Sequence, residues 1–184
     1  MDNRQKFIRP FIRWNLDDIV FSRFTAPLLI VIILTGFDLI TKDIARTYWR
    51  NSAGFTVIDS ICRFEFVEYY DSFFGISVSL PNEIKQPLFI LGGILAMIVI
   101  FWATIHFNLS ARALCGIALL CSGAIGNTGD RIFFGYVVDF FHIFYKSFQL
   151  PRFNLADVYI YIGMSILFID SMSQFRKKRR MKSI

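Results

Sequence analysis

The sequence of 184 residues is long enough for one domain, and its 55% hydrophobic content exceeds the range usual for water-soluble proteins. The net charge of +6 arises mainly near the two ends, where basic residues precede the first long apolar run and follow the last one. A basic tail can bind nucleic acid, but beside an apolar helix it more often marks the cytoplasmic side of a membrane. The composition therefore favours a membrane protein without a nucleic-acid partner.

Taken in chain order, four apolar runs each approach the ~20 residues that span ~30 Å of hydrocarbon. They lie at about residues 24–45, 86–106, 111–130 and 154–174. A cleaved signal peptide would begin closer to the N-terminus and end in a small-residue site, so we expect the first run to be a retained anchor.

An even number of spans places both termini on one side of the membrane, and the basic residues at both ends make that side the cytoplasm. We therefore expect a single membrane-embedded domain over residues 1–184. Residues 1–23 form its basic cytoplasmic extension, residues 24–174 its four-helix core, and residues 175–184 its basic cytoplasmic tail.

The two longer connections between the spans then lie on the outer side. Residues 47–85 include FTVIDSICRFEFVEYY, whose β-branched and aromatic residues partly alternate with polar ones and predict short strands on the membrane surface. Residues 131–152 are strongly aromatic, which is typical of interfacial anchors. The predicted fold class is mainly α, a polytopic membrane protein with four transmembrane helices and a small extracytoplasmic β-rich segment.

Metal and cofactor motifs are absent from the sequence. Cys62, Cys115 and Cys121 have no CxxC or CxxH spacing, so we expect them to pack as small hydrophobic residues rather than bind zinc. His142 lies near the acidic residues, but a single histidine cannot build a typical zinc site. No GxSxG, P-loop or GxGxxG motif is present, and we expect no metal and no cofactor.

Polar side chains gather at the outer ends of the spans and, for Asp139, in the connection between the third and fourth spans. They are Asp38, Lys42, Asn127, Asp130, Arg131, Asp139, Asn154 and Asp157. Polar residues without a common role would be scattered over both membrane faces, so this grouping indicates one site.

Local helix physics accounts for several of these residues. Asp38 and Lys42 are four residues apart, acid before base, which favours an ion pair within one helix. Asn127 and Asp130 share a helix face, and Asp130 beside Arg131 suggests a local salt bridge.

Asn154 and Asp157 have the spacing of a capping box, with Asn154 as N-cap and Asp157 three residues later. An acid in the first helical turn also suits the helix dipole. Asp157 therefore has a structural interpretation as well as a chemical one.

Asp139 has no such local explanation, because YVVDFF places its carboxylate in an apolar, strand-like stretch without an adjacent base. A buried carboxylate is costly, and ionisable groups at membrane depth are candidates for function. If Asp139 and Asp157 face each other, the two carboxylates would share a proton, as in aspartic proteases. One could then take a proton from water while the other polarises a carbonyl group.

At this point the sequence resembles the lipoprotein signal peptidase (signal peptidase II) family of bacterial membrane aspartic peptidases. SGAIGNTGDRIFFGYVVDFF and FNLADVYIYIG match the family pattern GN-x-x-DR, G-x-VVDF and FN-x-AD. DLITK in the first span is similar to the family's D-x-x-[ST]K. The resemblance covers residues from about 24 to 174.

The resemblance implies that Asp139 and Asp157 are the catalytic pair and that the other six polar residues support the site. The implied substrate is a prolipoprotein that carries diacylglycerol on its lipobox cysteine, cleaved just before that cysteine. It further implies a multi-pass protein of the bacterial inner membrane, in contact with membrane lipids and blocked by globomycin-type inhibitors. We expect it to act as a monomer.

The sequence departs from the family at one place. Members carry an N-x-G-A-A-F-like stretch after the first span, whereas YYDSFFG is the nearest match here and places Tyr69 where the asparagine would fall.

Two other classes of protein fit the polar residues. A transporter or proton relay also carries Asp and Lys in its spans, although four spans are few and the acids lie at one face rather than midway. A catalytically inactive membrane scaffold would retain the carboxylates for structural reasons.

Overall fold

A computed structural model describes residues 16–70, 72–73, 76–77 and 80–181, with side chains described for residues 24–70 and 80–181. Over these residues it contains four long helices. They are α1 (Leu16–Ile44), α2 (Asn82–His106), α3 (Ala111–Phe134) and α4 (Leu155–Met181). All four are long and apolar enough to cross a membrane, and many large apolar side chains on them are exposed. The predicted mainly α fold with four candidate spans is therefore confirmed.

The helices extend beyond the apolar runs that identified them. α1 begins at Leu16, inside the predicted extension, and α4 continues to Met181, inside the predicted tail. α3 continues to Phe134 and ends where Gly135 takes a left-handed conformation with φ 78°. An apolar run marks where a chain enters lipid, whereas a helix continues until a cap ends its hydrogen bonding. Predictions for residues 1–15 and 182–184 lie outside the described residues.

Short strands form a surface sheet, as the alternating sequence pattern predicted. The strands are β1 (Phe55–Ile58), β2 (Cys62–Tyr69), β3 (Ser72–Phe73), β4 (Ile76–Ser77), β5 (Val137–Tyr145) and β6 (Phe148–Gln149). An antiparallel sheet has the order β1-β2-β5-β6, while β3 and β4 pair separately. In the β2–β5 pair, Val67 lies opposite Asp139 and Tyr69 opposite Val137. The sheet therefore sets the position of Asp139 along β5.

An aromatic cluster fixes the sheet to the end of α1. A π-helical turn, Ala45–Trp49, follows α1, and the Trp49 ring lies 5.4 Å from Phe64 on β2 and 6.3 Å from Phe140 on β5. Val138 and Phe140 are buried in this cluster. Because β5 alternates in side-chain direction, packing of Val138 and Phe140 points the intervening Asp139 to the opposite side of the strand.

Small residues allow α3 and α4 to pack closely. The carbonyl oxygen of Gly163 lies 3.1 Å from the position a Cβ atom would take at Gly116. At Gly123 a Cβ atom would overlap the carbonyl oxygen of Ala156. This contact lies directly before Asp157, so the separation of the two helices affects the acidic site.

Gly123→Ala is therefore expected to destabilise the protein by about 1–3 kcal/mol, because the added methyl group meets backbone that cannot move aside. The Tm in detergent measures this effect. Gly129→Ala is the matched control, since a Cβ atom at Gly129 in the same helix meets nothing within 4 Å. An equal Tm for the two variants would show that the close helix approach contributes nothing to stability.

Candidate active site

The eight polar residues singled out from the sequence meet at one end of the helix bundle. α1 supplies Asp38 and Lys42, and α3 supplies Asn127, Asp130 and Arg131. β5 supplies Asp139, while Asn154 and Asp157 lie at the start of α4. Four segments that are distant in sequence thus converge on one network.

Lys42 is the centre of this network and is fully buried. Its Nζ lies 2.8 Å from Asp38 Oδ2 and 3.2 Å from Asp130 Oδ2, and it donates a hydrogen bond of 2.9 Å to Asn127 Oδ1. The ammonium group has three protons and meets three acceptors. The predicted Asp38–Lys42 ion pair is confirmed.

Asp38 and Asp130 each hold the backbone next to another aspartate. Asp38 Oδ1 accepts a hydrogen bond of 2.9 Å from the N–H of Ala156, directly before Asp157. Asp130 Oδ2 accepts one of 3.1 Å from the N–H of Val138, directly before Asp139. Asp38 thereby positions Asp157, and Asp130 positions Asp139, through hydrogen bonds to the main chain.

Asn154 links the two remaining aspartates. Its Oδ1 accepts a hydrogen bond of 3.0 Å from the N–H of Asp157, and its own N–H donates one of 3.2 Å to Asp157 Oδ2. This is the predicted capping box. Its Nδ2 donates a hydrogen bond of 2.7 Å to Asp139 Oδ1, so one residue caps α4 and contacts both aspartates.

Asn127 connects this unit to Lys42. Its Oδ1 accepts hydrogen bonds from Lys42 and, at 3.1 Å, from Asn154, while its Nδ2 donates one of 2.8 Å to Asp157 Oδ1. Both carboxylate oxygens of Asp157 therefore accept hydrogen bonds at the N-terminus of α4, which favours the ionised form.

Asp139 and Asp157 both line a cavity of about 490 Å³. Arg131 and Tyr69 line the same cavity as the aspartates, and most other lining residues are apolar or small. Apolar walls with a few convergent polar groups are typical of a binding site. The cavity joins the acidic end of the bundle to the space between α2, α3 and α4.

Burial raises the pKa of Asp139 well above the usual range of a carboxyl group, and the nearby Asp157 raises it further. Lys42, the hydrogen bond from Asn154 and Arg131 oppose this shift without cancelling it. Asp139 is only 5% exposed, so water cannot screen its charge effectively. The cavity thus favours a protonated Asp139 beside a strongly hydrogen-bonded Asp157.

The contacts of Asp130 differ in part from the local salt bridge expected with Arg131. Asp130 forms ion pairs with Lys42 and with Arg46, whose Nη2 is 3.5 Å from Oδ1. Arg131 interacts electrostatically with Asp130, Asp139 and Asp157, and its Nη1 donates a hydrogen bond to the backbone of α3. Arg46 was missed, although its position four residues after Lys42 indicated the same helix face.

A second group missed from the sequence borders the cavity through Arg152. Arg152, which lines the cavity, places its Nε 2.7 Å from Glu65 Oε1, and His142 Nδ1 lies 3.1 Å from the same oxygen. Arg152 and Glu65 are 87 residues apart, so no local pattern could reveal their contact. The pair joins the strand β2 to the loop before α4.

Comparison with known proteins agrees with this architecture. The family model described as signal peptidase (SPase) II matches residues 30–173. A lipoprotein signal peptidase of Aquifex aeolicus (strain VF5) is 32% identical over 156 residues, which cover 81% of this chain and 88% of the relative. One of Clostridium novyi (strain NT) is 34% identical over 143 residues, covering 77% of this chain and 93% of the relative.

A solved structure described as a bacterial membrane enzyme also has this fold, with a TM-score of 0.73 and 28% sequence identity. The likeness covers 83% of this chain and 91% of that one. The segment matched by the family model contains every member of the polar network. The chain therefore belongs to the signal peptidase II family.

Proposed function

We propose that the protein is an aspartic endopeptidase that removes the signal peptide from diacylglyceryl-modified prolipoproteins, cleaving before the lipidated cysteine. The observation that carries this proposal is the pairing of Asp139 and Asp157 in one apolar cavity, with Asn154 hydrogen-bonded to both. Membership of the signal peptidase II family supports a peptidase with a prolipoprotein substrate.

In this mechanism Asp157 is the general base and Asp139 the general acid. Asp157 accepts hydrogen bonds on both oxygens, which favours its ionised form, whereas burial and the neighbouring Asp157 raise the pKa of Asp139, which favours its protonated form. Asp157 takes a proton from water as the water oxygen attacks the scissile carbonyl carbon. Asp139 donates its proton to the carbonyl oxygen. As the intermediate collapses, Asp157 gives its proton to the leaving nitrogen, the C–N bond breaks, and Asp139 takes back a proton from the hydroxyl group that becomes the new carbonyl.

The other six polar residues act as positioning residues. Asp38 holds the backbone before Asp157 and Asp130 holds the backbone before Asp139, and Lys42 forms an ion pair with both of these holding carboxylates. Such preorganisation holds the two carboxyl groups close together before substrate enters. Arg131 adds positive charge beside the catalytic pair and stabilises the member that is ionised.

Two observations support a location in the bacterial inner membrane. The protein has four helices that are long and apolar enough to cross a membrane, and its relatives include bacterial lipoprotein signal peptidases. We place both termini in the cytoplasm and the aspartates near the outer face, since basic residues 176–180 follow the last apolar stretch at the opposite end of α4. A substrate with a lipid on one side of the scissile bond and a signal helix on the other meets the site at that depth. The enzyme acts as a monomer without a cofactor.

The cavity accepts both apolar parts of such a substrate, and a globomycin-type peptide inhibitor would occupy the same space. Tyr69 lies on its wall, where the family pattern has asparagine. We therefore expect Tyr69 to contact substrate or inhibitor with an aromatic ring in place of an amide.

The direct test is a cleavage assay with the purified full-length protein and a diacylglyceryl-modified prolipoprotein. We expect a smaller product that begins at the lipidated cysteine, identified by mass spectrometry, and no cleavage of the same prolipoprotein without its lipid. A folded protein that leaves the lipidated substrate intact would contradict the proposal. If that protein instead moved protons across vesicles, the transporter alternative would replace it.

A further inference from the structure

A second cleft, of about 600 Å³, lies at the end of the bundle opposite the aspartates. It is formed by the turn between α2 and α3 and by the last third of α4. Its polar lining includes Asn108, Ser110, Arg112, Gln174, Lys177 and Lys178. We propose that this cleft binds the phosphate headgroup of an acidic phospholipid, a role separate from peptide cleavage.

The walls of the cleft are fixed by Asp170, a carboxylate on α4 that is only 2% exposed. Its Oδ1 accepts a hydrogen bond of 2.9 Å from Ser110 Oγ and lies 3.4 Å from Arg112 Nε, while Oδ2 accepts one of 2.7 Å from Gln174 Nε2. Ser110 also caps α3, because its Oγ accepts a hydrogen bond from the N–H of Ala113. The two helices therefore form a preformed concave site.

Positive charge exceeds negative charge in this cleft. Arg112, Lys177 and Lys178 stand against Asp170, which leaves a formal charge of +2. Over the described part of the chain, Lys177 and Lys178 have no ion-pair partner. Asp170 already contacts three donors, so the two ammonium groups remain available to an external anion.

The surroundings of the cleft indicate that the anion belongs to a lipid. Leu109 and Met181 contribute apolar side chains to the lining of the cleft, and Met181 is 62% exposed. Phe107, which directly precedes the lining residue Asn108, is 54% exposed. Exposed apolar side chains at a basic cleft match a molecule with acyl chains and an anionic head. Basic pockets between transmembrane helices recognise anionic lipid headgroups in this way.

Diffuse attraction is the competing explanation, because any basic segment beside a membrane attracts anionic lipids. The sequence offers a matched comparison within a single helical segment. Lys177 and Lys178 line the cleft, whereas Arg176 and Arg179 do not. Each pair carries two positive charges. Diffuse attraction predicts that removing either pair weakens lipid binding equally, whereas a site predicts that only the loss of Lys177 and Lys178 weakens it.

The test is native mass spectrometry of the full-length protein in detergent, titrated with phosphatidylglycerol or with phosphatidylcholine. We expect the wild-type protein to bind one phosphatidylglycerol in preference to phosphatidylcholine. K177Q/K178Q is expected to weaken that binding about 25-fold, since each lysine near an anionic surface contributes about fivefold. R176Q/R179Q is expected to change it less than twofold. Thermal unfolding of both variants checks that they are folded.

Equal weakening in the two double variants would overturn the proposal in favour of diffuse attraction. Equal binding of the two lipids by the wild-type protein would also overturn it. Full displacement of the lipid by millimolar sn-glycerol 3-phosphate would show a site for a free phosphate ester instead. Failure of the cleavage assay would leave this proposal unaffected, because the two sites lie at opposite ends of the bundle.

Discussion

Asp139→Asn and Asp157→Asn are each expected to lower the rate of prolipoprotein cleavage by about 10²–10⁴-fold, the range found when a general acid or base is removed. Asparagine has nearly the same size and shape as aspartate, but its amide group cannot donate or accept the proton that the carboxyl group transfers. The gel shift between precursor and product, followed over time with purified variants, measures the effect.

Asp59→Asn is the matched control, because Asp59 is an exposed carboxylate between β1 and β2 of the same sheet. It should retain full activity. Thermal unfolding must show that both active-site variants are folded. A folded Asp139→Asn or Asp157→Asn variant with wild-type activity would return that aspartate to a structural role, as a helix cap or a packed polar group.

The pH dependence distinguishes the roles of the pair. Because the pKa of Asp139 is raised in the folded protein, its proton is bound more tightly there than in the unfolded chain. The free energy of unfolding should therefore fall as the pH rises from the usual carboxyl range to the raised value. Activity should fall over the upper part of this range, as Asp139 loses the proton it must donate. Asp139→Asn should remove that part of the pH dependence of stability, whereas Asp59→Asn should keep it.

Lys42→Met is expected to destabilise the protein by about 3–5 kcal/mol and to abolish cleavage. The substitution keeps an unbranched chain of similar length but leaves Asp38 and Asp130 buried without their shared ammonium partner, and breaking a buried ion pair costs about this much. Without Lys42, Asp38 and Asp130 are also free to move away from the backbone N–H groups that they hold directly before Asp157 and Asp139. The Tm and the cleavage rate measure the two effects.

A double variant separates charge from shape at this site. Lys42→Met with Asp38→Asn removes one charge of each sign and leaves Asp130 with Arg46. It should be less destabilised than the sum of its two single variants, because the single substitutions each leave a charge uncompensated. Lys146→Met, at an exposed lysine in the β5–β6 turn, should be close to neutral. A Tm for Lys42→Met equal to that of Lys146→Met would show that the buried network contributes nothing to stability.

The sequence identified the elements whose signals are local. Apolar runs predicted four spans, because a helix must cover a fixed thickness of hydrocarbon, and all four appear as helices. The spacing of Asn154 and Asp157 predicted a capping box, and the spacing of Asp38 and Lys42 predicted an ion pair. In each case the interacting groups lie within one helical turn, where backbone geometry alone fixes their distance.

The described helices are longer than the apolar runs that predicted the spans. α1 is already helical at Leu16, ahead of the apolar run that begins at residue 24, and α4 continues past its run through basic residues. Hydropathy reports the environment of a side chain, whereas helix ends depend on backbone hydrogen bonding. Gly135 shows the difference, because its left-handed conformation rather than a change in polarity ends α3.

By itself, the sequence predicted the eight polar side chains that meet in the network and the segments of the chain that carry them. Only the tertiary structure decided which contacts they make. Lys42 lies between Asp38 and Asp130, those carboxylates hold the backbone beside Asp157 and Asp139, and Asn154 contacts both Asp139 and Asp157. The Arg152–Glu65 contact and the cleft around Asp170 likewise join segments far apart in the chain. Such contacts depend on how helices and sheet pack together, and no spacing along one segment encodes that arrangement.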